Sequence, residues 1–259
     1  NIVKPLFNLS QYEELVKAFF EKGYEFVDFE EARRRFGEGL DHFSVWRHDI
    51  DFCLQRALEM ARVESDLGIR ADYHVLLRSP MYNLLEPRKI EMLHKLMDLR
   101  HGMGLHFDAS LYEDSDDASL GERIEEECET LESWLGSRVK MVSYHRPTED
   151  LYQRNITLED RSHVHEPVFF NDLVYFSDSG GQWRRGFPLE SSAFASGRPI
   201  QIVTHPIWWT GKAGETPTER LNAFAAGFLD DLGREIAANC LTYNLKDVKR
   251  LPDGQEDSL

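Results

Sequence analysis

At 259 residues, 41% hydrophobic and 12% aromatic, the chain can bury a sizeable core as one large α/β domain or two small ones, which excludes a disordered chain. A formal net charge of −16 excludes the broad electropositive surface that a nucleic-acid polymer or an anionic membrane would need, while leaving room for a nucleotide-linked ligand on a local Arg or Lys cluster. Cys53, Cys128 and Cys240 are too few and too scattered for a disulfide framework or a CxxC knuckle, so a reducing, cytoplasmic setting is expected. No apolar run reaches the roughly 18 residues of a membrane span. The opening NIVKPLFNLS has no signal-peptide core, although a start at Asn1 rather than Met leaves a removed leader open.

In chain order, Ser10 and Glu13 form a capping box, and Leu15, Val16, Phe19 and Phe20 have helical spacing, which predicts a helix from about Gln11 to Lys22 stopped by Gly23. YEFVDF reads as a short strand and EEARRRFGEG as a charged connection. From Phe43 the pattern becomes regular. The strand FSVWRH precedes a helix with Leu54, Leu58, Ala61 and Leu67 on one face and Gly68 beyond its end. The strand ADYHVLL follows, then a helix with Ile90, Leu93 and Met97 inward, and the strand MGLHF. A helix capped by Ser119 and Glu122 carries Ile124, Cys128, Leu131 and Leu135, and leads to the strand VKMVSYH. Residues 147–172 read as a long excursion with a short helix, LVYFS and IQIVTH as two more strands. A final amphipathic helix spans about Thr218 to Ala238, with Leu221, Phe224, Phe228, Leu232 and Ile236 on one stripe.

Strand and helix in alternation imply a parallel sheet, and about seven strands without a GxGxxG or Walker-type loop favour a single distorted (β/α) barrel over a doubly wound sheet. One domain is expected over residues 1–250, with LPDGQEDSL, residues 251–259, as a frayed polar tail.

The ionisable residues fall at the carboxyl ends of these strands: Asp49 and Asp51, His106, His145, Asp178 and His205. In a parallel barrel those ends share one mouth, where reacting groups gather. Aspartates and histidines converging there suit a divalent cation, Zn²⁺ above all, with an acid/base pair. Taken singly, the two aspartates could be helix N-caps, His106 a satisfied core histidine, His205 a ring packed on two tryptophans, and Asp178 a turn cap. Trp208 and Trp209 are either core or a platform for sugar rings.

In order, RHDIDF, GMGLHFD, SYHRP, SDSGGQW and IVTHPIWW resemble the five motifs of the polysaccharide deacetylases, the NodB-homology or carbohydrate esterase family 4 group, over Phe43 to Trp209. The resemblance is closest to divergent members from bacterial surface-polysaccharide and O-antigen clusters. It implies a distorted barrel holding one divalent metal, with Asp49 as general base, Asp51 and His106 as metal ligands, and His205 as the acid that protonates the departing amine. Asp178 and Trp183 fall where that family orients the acid and walls the pocket.

The chain departs from the family pattern in three places. Ile50 separates the paired aspartates, which leaves their roles open to exchange. Ser110 stands where a second metal-binding His belongs, and His145 stands where an Arg does. His145 is therefore expected to complete the metal site or to orient the base, with Asp108 as the other candidate ligand. Arg146 could meet a diphosphate, and Arg146, Trp183 and Trp208 are the candidate substrate contacts. The implied activity is metal-dependent removal of an N-acyl group, most simply acetyl, from an amino sugar that is nucleotide-linked, lipid-linked or part of a glycan. The alternatives are a degenerate glycan-binding or scaffolding barrel and a hydrolase for another amide.

Overall fold

The computed structural model describes residues 7–112, 115–151, 154 and 156–244, so the expected polar tail at 251–259 lies outside the described residues. The chain divides into two compact units, Asn1–Ala213 and Gly214–Leu259.

The first unit is built on strands β1 (Glu25–Phe26), β2 (Phe43–Ile50), β3 (Asp72–Val75), β4 (Gly102–Asp108), β5 (Met141–His145), β6 (Ser162–His163), β7 (Val174–Ser177) and β8 (Ile200–Thr204). Seven of them run in the order β6-β5-β4-β3-β2-β8-β7, and β1 pairs with the start of β2. Every pairing is parallel. The sheet curls into a half-barrel surrounded by helices, the distorted (β/α) barrel expected from the alternating pattern. Among the described residues β6 and β7 do not pair, so the barrel stays open between them.

All eight residues of β2 are buried, as a parallel strand covered on both faces requires. Its odd-numbered residues face the barrel interior. Phe43 and Val45 there join Met141, Val164, Phe169 and Leu173 in an apolar plug closed by Phe29 and Ala32. Each large side chain so buried contributes on the order of 1.5–3 kcal/mol. Phe43 and Met141 open their strands, so this plug fills the strand-start end and leaves the opposite end for polar groups.

Ala32 belongs to a helix where a charged connection was expected, and Phe29, expected to end the strand YEFVDF, opens that helix. α2 (Phe29–Gly37) is capped by Asp28, whose side chain accepts from the Glu31 N–H. The other helices of this unit are α1 (Leu9–Glu21), α3 (Leu54–Leu67), α4 (Pro87–Asp98), α5 (Asp117–Leu135), α6 (Ser192–Ser196) and α7 (Pro206–Trp209). Two expected caps move. Asn8 rather than Ser10 caps α1, and Asp116 rather than Ser119 caps α5, because in each case the acceptor side chain lies three residues before the N–H it satisfies. On α4 the buried row is Ile90, Leu93 and Leu96 in place of Met97. The expected strand YEFVDF shrinks to β1, and the excursion after Pro147 holds β6 and a five-residue π-helical turn at Val168–Asp172.

The second unit is α8 (Pro217–Asn239), opened by a capping box between Thr216 and Glu219. Of its expected apolar stripe, Phe228 and Leu232 are exposed. Among the described residues no helix is long and apolar enough to cross a membrane.

Candidate metal centre

Strand alternation and register bring one row of polar side chains into the mouth from five strands. Arg47 and Asp49 share the inner face of β2, Asp51 follows it, and Asp49 stands in register with His74 on β3, which pairs in turn with Gly104 on β4. Next along β4, His106 pairs with Ser143 on β5, and Asp108 with His145. His205 follows β8 and leads into α7.

Three of these groups meet at a point. Asp51 Oδ1 lies 3.2 Å from His106 Nε2 and 3.3 Å from His145 Nδ1, and the two imidazole nitrogens are 3.2 Å apart. Despite those neighbours, Asp51 Oδ1 is buried and has no aligned hydrogen-bond donor among the described residues. An unsatisfied buried polar atom costs about 1–3 kcal/mol, and more when it carries charge. A tetrahedral zinc ion with bonds of about 2.0–2.1 Å has ligand atoms about 3.3 Å apart. One carboxylate and two imidazoles at that mutual spacing fit such a cation. Burial alone would raise the Asp51 pKa, but the two imidazoles and the nearby charge of His205 outweigh it and hold the carboxyl well below its usual range.

His205 flanks this triad, its Nε2 3.9 Å from Asp51 Oδ2. Asp178 fixes it from behind. Asp178 is fully buried, takes the His205 backbone N–H at 3.1 Å and the ring Nδ1–H at 2.6 Å, and accepts a third bond from Trp209 Nε1 at 2.7 Å. Burial alone would lower the His205 pKa, yet the charges of Asp178, Asp51 and Asp49 raise it to about 9. The Nε2 side of the ring is left facing the triad.

Asp49 is 4% exposed and lies behind His106, with Oδ1 3.8 Å from Nδ1. Arg47 Nη2 donates to its Oδ2 at 3.1 Å, Nε lies 3.0 Å from Oδ1 out of hydrogen-bond alignment, and Ser143 Oγ donates to Oδ1 at 3.2 Å. Burial works against its charge, but Arg47, with His106 and His74, keeps it ionised.

Of the two candidates for the third ligand, His145 joins the triad, whereas Asp108 pairs with Arg146 and accepts from Ser110 Oγ at 2.7 Å. Arg146 adopts a left-handed φ of 48° and, itself largely exposed, donates to that buried carboxylate through Nη2. Trp208 is 5% exposed and Trp209 1%, so both pack into the wall and neither offers a free face to a sugar ring. Trp183 leans edge-on against Trp209, with ring centroids 6.2 Å apart, and its Nε1 is buried without a hydrogen bond among the described residues.

Four participants escaped sequence reasoning: Arg47, His74, Ser143, and Trp209 as a donor to Asp178. For Arg47 the signal was present, since alternation puts it on the same face as Asp49 and Asp51. Ser143 and His74 required the register.

No protein-family model matches the chain, and no curated protein does. Several solved structures are similar in fold. A Streptococcus pyogenes deacetylase, PplD, in complex with acetate is 10% identical over 84% of this chain and 87% of its own, at a TM-score of 0.46. The chitin deacetylase of the fungal pathogen Colletotrichum lindemuthianum is 10% identical over 71% of this chain and 81% of its own, at 0.47. A carbohydrate esterase family 4 pseudoenzyme from Bacillus anthracis is 9% identical over 73% of this chain and 60% of its own, at 0.42.

Proposed function

We propose that this chain is a metal-dependent hydrolase that removes an N-acyl group, most simply acetyl, from an amino sugar. The observation that carries the reading is the convergence of Asp51, His106 and His145 beside His205, whose ring Asp178 holds from behind. Asp51, His106 and His145 would hold one divalent ion, and this carboxylate–imidazole set suits zinc. A cation there supplies Lewis-acid chemistry, polarising an amide carbonyl and acidifying water.

The chain's own residues supply the proton transfers. Asp49, ionised and within electrostatic reach of His205, accepts the proton that water gives up; its ion pair with Arg47 makes it a weak base, suited only to an acidified donor. His205 keeps its proton against Asp178 and gives it to the departing amine. Trp183 and Trp208 form apolar wall, and Arg146 at the rim is the candidate contact for a phosphate or carboxylate on the sugar. The setting in bacterial surface-glycan assembly, O-antigen or lipopolysaccharide included, is supported by the motif resemblance alone, and a cytoplasmic location by cysteine usage alone.

The test is acetate release from N-acetylated amino sugars, free, nucleotide-linked and polymeric, with and without Zn²⁺, for wild type and Asp49→Asn. Release that needs the ion and disappears in Asp49→Asn while the ion stays bound supports the reading. Saccharide binding with no ion taken up and no acetate from any substrate would overturn it in favour of a binding barrel.

A further inference from the structure

The triad binds a cation only if His106 offers an unprotonated Nε2, and nothing within the triad enforces that. His106 Nε2 could as well keep a proton and donate to His145 Nδ1, 3.2 Å away. The choice is made at the other end of the ring, where Nδ1 meets Ser143 Oγ at 2.7 Å.

Ser143 is fully buried and its hydroxyl touches three groups: His106 Nδ1, His74 Nδ1 at 2.8 Å and Asp49 Oδ1 at 3.2 Å. A hydroxyl has one proton to give and two lone pairs to accept with. Asp49, an ionised carboxylate facing Arg47, has no proton to contribute, and charge-assisted bonds are the stronger ones. The Ser143 proton therefore goes to Asp49. Were it given to either imidazole, Ser143 Oγ and Asp49 Oδ1 would confront each other without a proton between them. With it on Asp49, both imidazoles must donate from Nδ1, and His106 is left with its Nε2 lone pair aimed at the point shared with Asp51 and His145.

His74 gives independent support. Its Nε2 is buried and makes no hydrogen bond among the described residues. In the Nδ1–H form that atom is a bare acceptor, whereas in the other form it would be an orphaned buried N–H, which folded proteins rarely tolerate. The ring stands where it does because its partner in register is Gly104: a Cβ there would fall 2.4 Å from the imidazole.

We infer that Ser143, braced by His74 in the space that Gly104 leaves open, is a positioning residue that fixes His106 in its Nδ1–H form and ties the metal ligand to Asp49. The inference rests on the metal-binding reading of the triad.

The test is ¹⁵N NMR of the histidine side chains in the metal-free full chain, with Co²⁺ titrated into the same samples. Wild type should show His106 protonated at Nδ1 and bare at Nε2. Ser143→Ala should move His106 toward the Nε2–H form and weaken Co²⁺ binding about 10- to 100-fold at unchanged stoichiometry, the usual cost of losing a partner behind a ligand. Ser143→Thr should recover the wild-type tautomer. His74→Leu should weaken binding, while His74→Asn, which can keep an N–H near the place of Nδ1, should largely preserve it. A wild-type His106 protonated at Nε2 would overturn the inference even if Ser143→Ala failed to fold. So would equal Co²⁺ affinity in wild type and Ser143→Ala. A wild type with the expected tautomer but no ion bound would instead sink the metal reading and leave the hydroxyl network standing.

Discussion

His48 and Asp49 are consecutive residues of β2, and strand alternation sends them into two different clusters of histidines and carboxylates on opposite faces of the sheet. On the outer face, Glu64 of α3 is fully buried and fully engaged. Its Oε1 accepts from Tyr12 Oη and lies 2.7 Å from His48 Nε2, and its Oε2 accepts from Tyr73 Oη at 2.5 Å. His48 Nδ1 meets Thr204 Oγ1 at 2.6 Å, and His101 takes the Ala71 N–H on Nδ1 and faces the Ala61 carbonyl through Nε2. On the inner face, the same residue types leave Asp51 Oδ1 without an aligned donor among the described residues and point two imidazole nitrogens at the same spot. Composition does not distinguish these clusters. The outer one is saturated with hydrogen bonds and holds the fold together; the inner one is held from behind and unsatisfied in front, which is what a ligand site requires.

The largest expected effects should fall on opposite properties. His106→Ala and His145→Ala should each abolish binding of the single ion, measured by elemental analysis after reconstitution, and should cost metal-free stability only about 1–2 kcal/mol, because each deletes a group satisfied on one side only. Glu64→Ala should do the reverse. It strands two tyrosine hydroxyls and His48, so urea unfolding should show a loss of about 3–5 kcal/mol with ion stoichiometry intact. A folded Glu64→Ala protein that had lost its ion, or a His106→Ala protein as unstable as Glu64→Ala, would erase the distinction.

Within the inner cluster, Asp178→Asn sharpens the contrast between holding and reacting. The ion should stay bound. Without the carboxylate charge the His205 pKa falls, so the acid form is lost at lower pH: kcat should drop about 100-fold at pH 8 and recover in part at pH 6. An unshifted pH profile would remove His205 as the acid. The outer cluster has a pH signature of opposite origin. Burial would raise the Glu64 pKa, but His48, His101 and the Tyr12 hydroxyl bring it below its ordinary value of 4.5. Stability from a lowered carboxylate is complete above that ordinary value and lost as pH falls through the folded one. From pH 6 to pH 3, the urea midpoint should therefore fall more steeply in wild type than in Glu64→Gln.

The inner cluster was largely readable from sequence and the outer one was not, for a physical reason. Metal-ligand types at the ends of apolar strands stand out, because a polar group there needs a partner and parallel strands deliver their ends to one mouth. Glu64 stands in an amphipathic helix, where a charged residue normally faces water, and its partners come from α1, β2, β3 and the turn before β4. Only tertiary packing reveals it. α2 was hidden in a similar way: Phe29, Ala32 and Phe36 keep helical spacing inside a run of Glu and Arg that reads as a solvated loop. Trp208 and Trp209 show the converse limit, since a pair of aromatics after a strand reads equally as sugar platform or as wall, and here packing makes them wall.

Asp72 tests whether saturation or mere burial governs these groups, because it belongs to neither cluster. It opens β3 on the inner face, in register with Arg47 and Gly102, and its carboxyl occupies the place that a Gly102 Cβ would take. None of the described residues donates a hydrogen bond to it. Burial, reinforced by the charge of Asp28, pushes its pKa up to about 7. A carboxyl raised in the folded state favours folding while protonated, and that contribution drains away as pH climbs from its ordinary value of 3.8 toward 7. Asp72→Asn should accordingly be about as stable as wild type at pH 4 and about 1–2 kcal/mol more stable at pH 8, a figure reduced because the side chain is partly open to water. If the substitution cost stability at pH 8 instead, Asp72 would have a partner when ionised, and burial without a hydrogen bond would no longer mark out the atoms of the inner face that await a ligand.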